Sequence, residues 1–186
     1  MAQITLPTLV TISRLAAVPV VLVGMSIDNL MSPWIVLSAF CFAAWTDWLD
    51  GYLARRMNLV SELGKFLDPL VDKLLVLAPM LCFLEGPYLS HQIPAWSVLI
   101  TVSRDLIISG WRVNQAVVPG ASFWGKFKTV VQLCAMAGML IPRSLPGETE
   151  EFWALVWLNE TGYYLYWISL ILVVYSAYVY LRPQSR

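Results

Sequence analysis

Polar and apolar positions along this chain come in blocks rather than in alternation. Apolar runs cover residues 8–27, 33–54, 68–84, 94–112, 125–142 and 160–181, with short polar connections between them. Each run is near the roughly 20 residues that a helix needs to cross the hydrocarbon core of a bilayer. Lipid offers no water to open backbone groups, so runs of this kind are predicted as α-helices. The expected fold is therefore all-α, a polytopic membrane protein of six transmembrane helices, read as one domain over 1–186. No lipidation box, low-complexity tract or internal repeat is evident. The first run lacks a small-residue cleavage site after a short apolar core and is expected to be retained as a helix.

Composition agrees with this pattern: 59% of residues are hydrophobic and 13% charged, which fits a membrane protein and not a soluble domain. The formal net charge of zero hides an asymmetry. Of the twelve Lys and Arg residues, only Arg143 falls on one side of the predicted spans, and that side also holds Asp28, Glu85, Glu148, Glu150, Glu151 and Glu160. The positive-inside rule then puts both termini, and the connection after the second run, on the cytoplasmic face of an inner membrane. Trp34 and Trp96 start helices at the outer interface, whereas Trp111 and Trp124 sit near the inner one, as aromatic anchors do.

Chemistry concentrates in residues 47–72. Asp47, Asp50, Gly51 and Ala54 fall on one helical stripe, and Asp68 and Asp72 lie one turn apart. Carboxylates inside apolar segments are costly and usually face a polar cavity with a working role. If the two runs pair antiparallel, the four acids converge and need cations. Hard divalent ions with oxygen ligands suit them, magnesium especially, because it combines a few carboxylates with substrate phosphates. Gly51 and Ala54 leave room for a close approach, and Arg55 and Lys65 add positive charge suited to phosphate. The competing reading pairs these acids with Arg55, Arg56, Lys65 and Lys73 to hold two helices together. Buried ion pairs stabilise poorly, however, and four acids in 26 positions exceed what helix pairing requires.

A second polar border spans the fourth and fifth runs. Arg104-Asp105 reads either as a locally neutralised couple or as part of a site. Arg112, Lys126, Lys128, Thr129 and Gln132 supply many donors and are expected to form a second cationic pocket for a phosphorylated ligand. Asp68 precedes Pro69 and is expected at a helix N-cap or a bend. Cys41, Cys82 and Cys134 lack metal-binding spacing and read as small core residues, His91 stands alone in an outer loop, and residues 143–159 read as an acidic outer loop.

The pattern D-x2-D-G-x2-A-R-x8-G-x3-D-x3-D, complete from Asp47 to Asp72, resembles the signature of the CDP-alcohol phosphotransferases. Pro7-Thr8-Leu9 before Thr11 and Arg14 is similar to the opening of the phosphatidylglycerophosphate-forming branch. So is Arg104-Asp105 with Ser109 and Arg112, followed by Gly125-Lys126, Lys128-Thr129 and Gln132, although that branch commonly carries Glu where this chain has Asp105. The resemblance implies transfer of a phosphatidyl group from CDP-diacylglycerol to sn-glycerol 3-phosphate, giving phosphatidylglycerophosphate and CMP. It implies Mg2+ or Mn2+, two ions held by Asp47, Asp50, Asp68 and Asp72, with Asp72 as general base. Gly51, Ala54, Arg55, Ser61 and Gly64 would bind CDP-diacylglycerol, and Arg104, Arg112, Lys126 and Lys128 the glycerol phosphate. A homodimer among membrane lipids, with no nucleic-acid partner, completes the expectation. Two alternatives stay open at this stage. One keeps the donor and changes the acceptor to inositol phosphate, serine or phosphatidylglycerol; the other is an ion or proton transporter using the intramembrane acids.

Overall fold

The computed structural model describes the backbone of residues 6–26, 32–57, 62–85, 91–113, 123–145, 148 and 150–181, and the side chains of residues 16–26, 32–46, 73–84, 91–110, 123–145, 148 and 150–180. Among the described residues six α-helices follow one another: α1 (Leu6–Ser26), α2 (Pro33–Met57), α3 (Glu62–Glu85), α4 (Ala95–Val113), α5 (Phe123–Met139) and α6 (Trp153–Leu181). They match the six apolar runs in order, and among the described residues no strand occurs, only an isolated bridge between Ser144 and Glu151. The all-α fold is thus as the hydropathy pattern predicts. Among the described residues, Trp153–Tyr180 is the segment long and apolar enough to cross a membrane; Ala16–Ser26, Pro33–Thr46 and Lys73–Leu84 are shorter apolar helices.

Two boundaries differ from the sequence reading. Helix α3 starts at Glu62, so Asp68 lies inside it and is not its N-cap. Pro69 is then an internal helix residue, where its missing N–H leaves one carbonyl without an intrahelical donor. Helix α6 starts at Trp153, so Trp153 and Trp157 belong to its first turns and not to an outer loop. Hydropathy marks only the part of a helix that suits hydrocarbon, whereas the backbone ladder runs on through flanking polar and aromatic residues.

Packing groups the chain into two compact units, Met1–Ser90 and His91–Arg186. Each has a hub. In the first unit α1 packs on both α2 and α3, burying Val18 and Val21 with Val36, Phe40, Leu75, Met80 and Phe83. In the second, α6 packs on α5 and α4.

Helix α6 shows why. It is apolar all round, yet Asn159, Gly162, Tyr166, Ser169, Val173 and Ser176 recur every three or four residues, and the buried polar side chains of α6 lie on this stripe. Trp157, Tyr164, Ile171, Val174 and Tyr178 are exposed. Polar and small groups inside with large apolar groups outside is the arrangement expected where the surroundings are lipid. The buried hydroxyls of this stripe are tied locally or across helices. Ser169 and Ser176 donate to the carbonyls of Tyr166 and Val173, and Ser97 of α4 is hydrogen-bonded to the Tyr166 hydroxyl.

Helices α5 and α6 approach at two glycines: a Cβ added at Gly138 would stand 2.6 Å from the Gly162 Cα. Only small residues permit such an approach. Asn159 closes the same junction, its amide donating to the Met139 and Ile141 carbonyls at 2.9 and 2.8 Å. These are orphan acceptors at the end of α5 that would otherwise lack a donor. Phe152 N–H donates to the Arg143 carbonyl at 2.8 Å and returns the chain into α6.

Candidate functional site: a buried ionic network on α4, α5 and α6

Helix α5 turns one face inward, and that face carries Lys128, Gln132, Ala135, Met136 and Met139. Its first member is a cation: Lys128 is only 3% exposed. An isolated buried ammonium is very costly, so a partner must come from a neighbouring helix. Asp105 of α4 supplies it. Both carboxylate oxygens of Asp105 accept from Lys128 Nζ, at 3.1 and 3.0 Å.

Arg104 joins from the same turn of α4. One terminal nitrogen donates to Asp105 Oδ1 at 2.8 Å, and the other to Ser176 Oγ on α6 at 2.9 Å. One carboxylate therefore connects α4 to α5, and its arginine neighbour connects α4 to α6. The Arg104 Nε has no hydrogen-bond acceptor among the described residues. Arg104 also lines an apolar groove of about 370 Å³ between α4 and α6, together with Leu99, Ile107 and Val174. Charge-assisted bonds of this kind are roughly twice as strong as neutral ones, and they hold long flexible stems in fixed positions.

The four cations expected to bind a phosphorylated acceptor are Arg104 and Arg112 on α4 and Lys126 and Lys128 on α5. Arg104 and Lys128 come together around Asp105. Lys126, two positions before Lys128, is exposed on another face of α5. Arg112 is in the last turn of α4, with its side chain outside the described residues. Thr129 donates back to the Gly125 carbonyl at 3.1 Å, while Gln132 is buried one turn below Lys128. Arg104 and Asp105 form an ion pair, with Lys128 as a third member. Twenty-three positions separate Lys128 from Asp105, and nothing in local spacing announces their contact.

The aspartate motif lies on helical backbone. Asp47, Asp50, Gly51, Ala54 and Arg55 are on α2; Gly64, Asp68 and Asp72 are on α3. Each acid pair is accordingly one turn apart on its helix. The side chains of these residues, and Ser61 altogether, lie outside the described residues. Among the described residues no three of His, Cys, Asp and Glu come together as a metal site. The donor set of the motif, four carboxylates in two helical pairs, has the oxygen chemistry that a hard divalent ion takes.

Two other expectations change. His91 is not alone: its ring stacks on Tyr163 with centroids 4.3 Å apart, and Nε2 lies 3.1 Å from Glu160 Oε1. Arg143 joins the same cluster, 2.9 Å from Glu151 and 3.6 Å from Glu160. Among the cysteines only Cys82 is a core residue, with its sulfur 3.9 Å from Ser26 Oγ; Cys41 and Cys134 are exposed. A small apolar thiol on a lipid-facing surface carries no burial penalty, so apolar context alone does not decide which side it takes.

Known proteins match this chain over most of its length. A family model described as CDP-alcohol phosphatidyltransferase covers residues 4–176. The Arabidopsis thaliana protein named CDP-diacylglycerol-glycerol-3-phosphate 3-phosphatidyltransferase 2 is 34% identical over 196 residues, spanning 98% of this chain and 81% of its own. The Bacillus subtilis (strain 168) protein named CDP-diacylglycerol-glycerol-3-phosphate 3-phosphatidyltransferase is 35% identical over 162 residues, 79% of this chain and 81% of its own. A cardiolipin synthase (CMP-forming) of Oryza sativa subsp. japonica is 34% identical over 205 residues, 98% of this chain and 58% of its own.

Proposed function

The chain belongs to the CDP-alcohol phosphatidyltransferase family, and on that premise we propose that it transfers the phosphatidyl group of CDP-diacylglycerol to sn-glycerol 3-phosphate, giving phosphatidylglycerophosphate and CMP. The observation that carries this reading is the identity of about a third to relatives of that name, spread over most of both chains. The complete motif from Asp47 to Asp72 agrees with it. A transporter reading falls away with the family. The rice cardiolipin synthase keeps a second acceptor, phosphatidylglycerol, in play.

In the proposed reaction the primary hydroxyl of glycerol 3-phosphate attacks the phosphorus that bears the diacylglycerol arm. The bond from that phosphorus to the pyrophosphate bridging oxygen breaks, and CMP leaves with the electron pair. Asp72 takes the hydroxyl proton as general base. Arg55 holds the CDP end, with Gly51, Ala54, Ser61 and Gly64 admitting it closely. Arg104, Arg112, Lys126 and Lys128 supply the positive charge that recruits the acceptor phosphate. Asp47, Asp50, Asp68 and Asp72 would hold Mg2+ or Mn2+, two ions in this reading; when bound, these neutralise the pyrophosphate and polarise its phosphorus. We further propose that all six helices cross the cytoplasmic membrane with both termini and the motif on the cytoplasmic side, and that the chain acts as a homodimer.

The test offers CDP-diacylglycerol to the purified protein with glycerol 3-phosphate, phosphatidylglycerol, inositol phosphate and serine in parallel, and identifies the lipid product by mass. Phosphatidylglycerophosphate is expected; cardiolipin as the main product selects the second acceptor. Turnover is expected to stop in excess EDTA and to return with magnesium or manganese. Asp47→Asn is expected to be inserted and folded yet inactive, and full activity in EDTA would refute the metal assignment.

A further inference from the structure

We propose that Asp105 is a positioning residue for acceptor recognition: its carboxylate holds the Lys128 ammonium, and the Arg104 guanidinium beside it, in place for the phosphate group of the acceptor. The proposal rests on the reaction proposed above and adds a role for an acidic residue in recognising an anion.

Lysine carries its charge on a flexible stem, and ordering that stem costs about 2 kcal/mol of rotamer freedom. Lys128 meets this cost before any ligand arrives, because both oxygens of Asp105 accept from its Nζ, at 3.1 and 3.0 Å. Arg104 is fixed twice, by Asp105 Oδ1 on its own helix and by Ser176 Oγ on α6.

Among the described residues the two cations, Arg104 and Lys128, outnumber the one carboxylate, so Asp105 orders them without cancelling their attraction for a phosphate. A ligand meeting cations already in position loses less ordering free energy on binding than one that must collect them. Asp105 itself, an anion, touches the cations and not the phosphate. Its effect on the acceptor is indirect.

The experiment is a two-substrate kinetic grid on purified wild-type, Asp105→Asn, Asp105→Glu and Ser176→Ala proteins in detergent. It is paired with the shift in thermal unfolding that glycerol 3-phosphate produces in each. Asp105→Asn keeps the shape and removes the charge. It is expected to raise the KM for glycerol 3-phosphate about tenfold, while kcat at saturation and the KM for CDP-diacylglycerol stay within about twofold. Asp105→Glu, which returns the charge, is expected to recover most of that loss. Ser176→Ala, which only releases Arg104 from α6, is expected to raise the same KM about threefold, and it decides the matter if Asp105→Asn does not fold.

An unchanged acceptor KM in these variants overturns the proposal. So does a loss confined to apparent kcat that follows the fraction of folded protein while both KM values stay unchanged, which is the mark of a structural role alone. A wild type stabilised by glycerol 3-phosphate that does not transfer to it refutes the reaction and leaves this proposal standing. An Asp105→Asn protein that glycerol 3-phosphate stabilises as strongly as wild type refutes this proposal and leaves the reaction standing.

Discussion

The second unit places much the same charges in two different environments. Near the start of α5, Lys128, Asp105 and Arg104 are closed into the interior, with side-chain exposures of 4, 21 and 14%. Beyond the far end of α5, Arg143, Glu151, Glu160 and His91 also pair; His91 is 15% exposed, but Arg143 and Glu160 are 28% and Glu151 59%. Surface pairs are worth about 0–1 kcal/mol, since water and salt solvate both partners in their absence. In a closed interior the same bond is hard to break, because the partner left behind has no water to turn to. Environment, not the identity of the pair, thus sets what each cluster does. The inner cluster fixes charges in place; the outer one closes a turn.

The largest expected effect strikes both clusters at once. Gly138→Leu puts side-chain atoms where the Gly162 backbone stands, with the Cβ alone 2.6 Å from the Gly162 Cα. The helices must separate, at a cost of about 3 kcal/mol or more, and thermal unfolding in detergent should show a strong loss for the whole unit. Unfolding at the wild-type temperature would mean that α5 and α6 are not held by this contact.

Lys128→Met keeps the stem and removes the charge, leaving Asp105 without one buried partner. The expected loss is about 2 kcal/mol, read by the same unfolding measurement, together with a weaker response to glycerol 3-phosphate. Arg143→Gln removes the corresponding cation of the outer cluster and should cost less than about 1 kcal/mol. If Arg143→Gln proves as costly as Lys128→Met, burial is not what separates the two clusters.

The smallest effect is expected for His91→Phe. The ring can still stack on Tyr163, and only the contact to Glu160 is lost. A change within about 0.5 kcal/mol is expected, and the acceptor KM should not move at all. A shifted acceptor KM would show that the outer cluster communicates with the inner one, and the comparison would lose its force.

The six helices among the described residues were legible in order because a long apolar run satisfies its own backbone best as a helix. Their ends were less so: Glu62 and Trp153 start helices that hydropathy delays by about six or seven residues, since polar and interfacial residues continue a helix without adding to an apolar run. The motif from Asp47 to Asp72 was legible as spacing, because one turn of helix is a local distance. Lys128 and Arg104 were legible as cations suited to phosphate, and Arg104-Asp105 as a neighbouring couple, but the contact of Asp105 with Lys128 was not. Nor was the stacking of His91 on Tyr163, whose partners lie 72 positions apart.

The sequence by itself determined the helices, the aspartate pairs and the family. All of these follow from the period of a helix or from spacing along the chain, and neither requires knowing what lies opposite. Only the tertiary structure decided that Asp105 meets Lys128, that Arg104 reaches Ser176, and that Lys126 points elsewhere. Helix period fixes which residues share a face. Which faces meet is chosen among packings of the whole unit, here by the close approach of Gly138 to Gly162 and by the cost of leaving a buried charge without a partner.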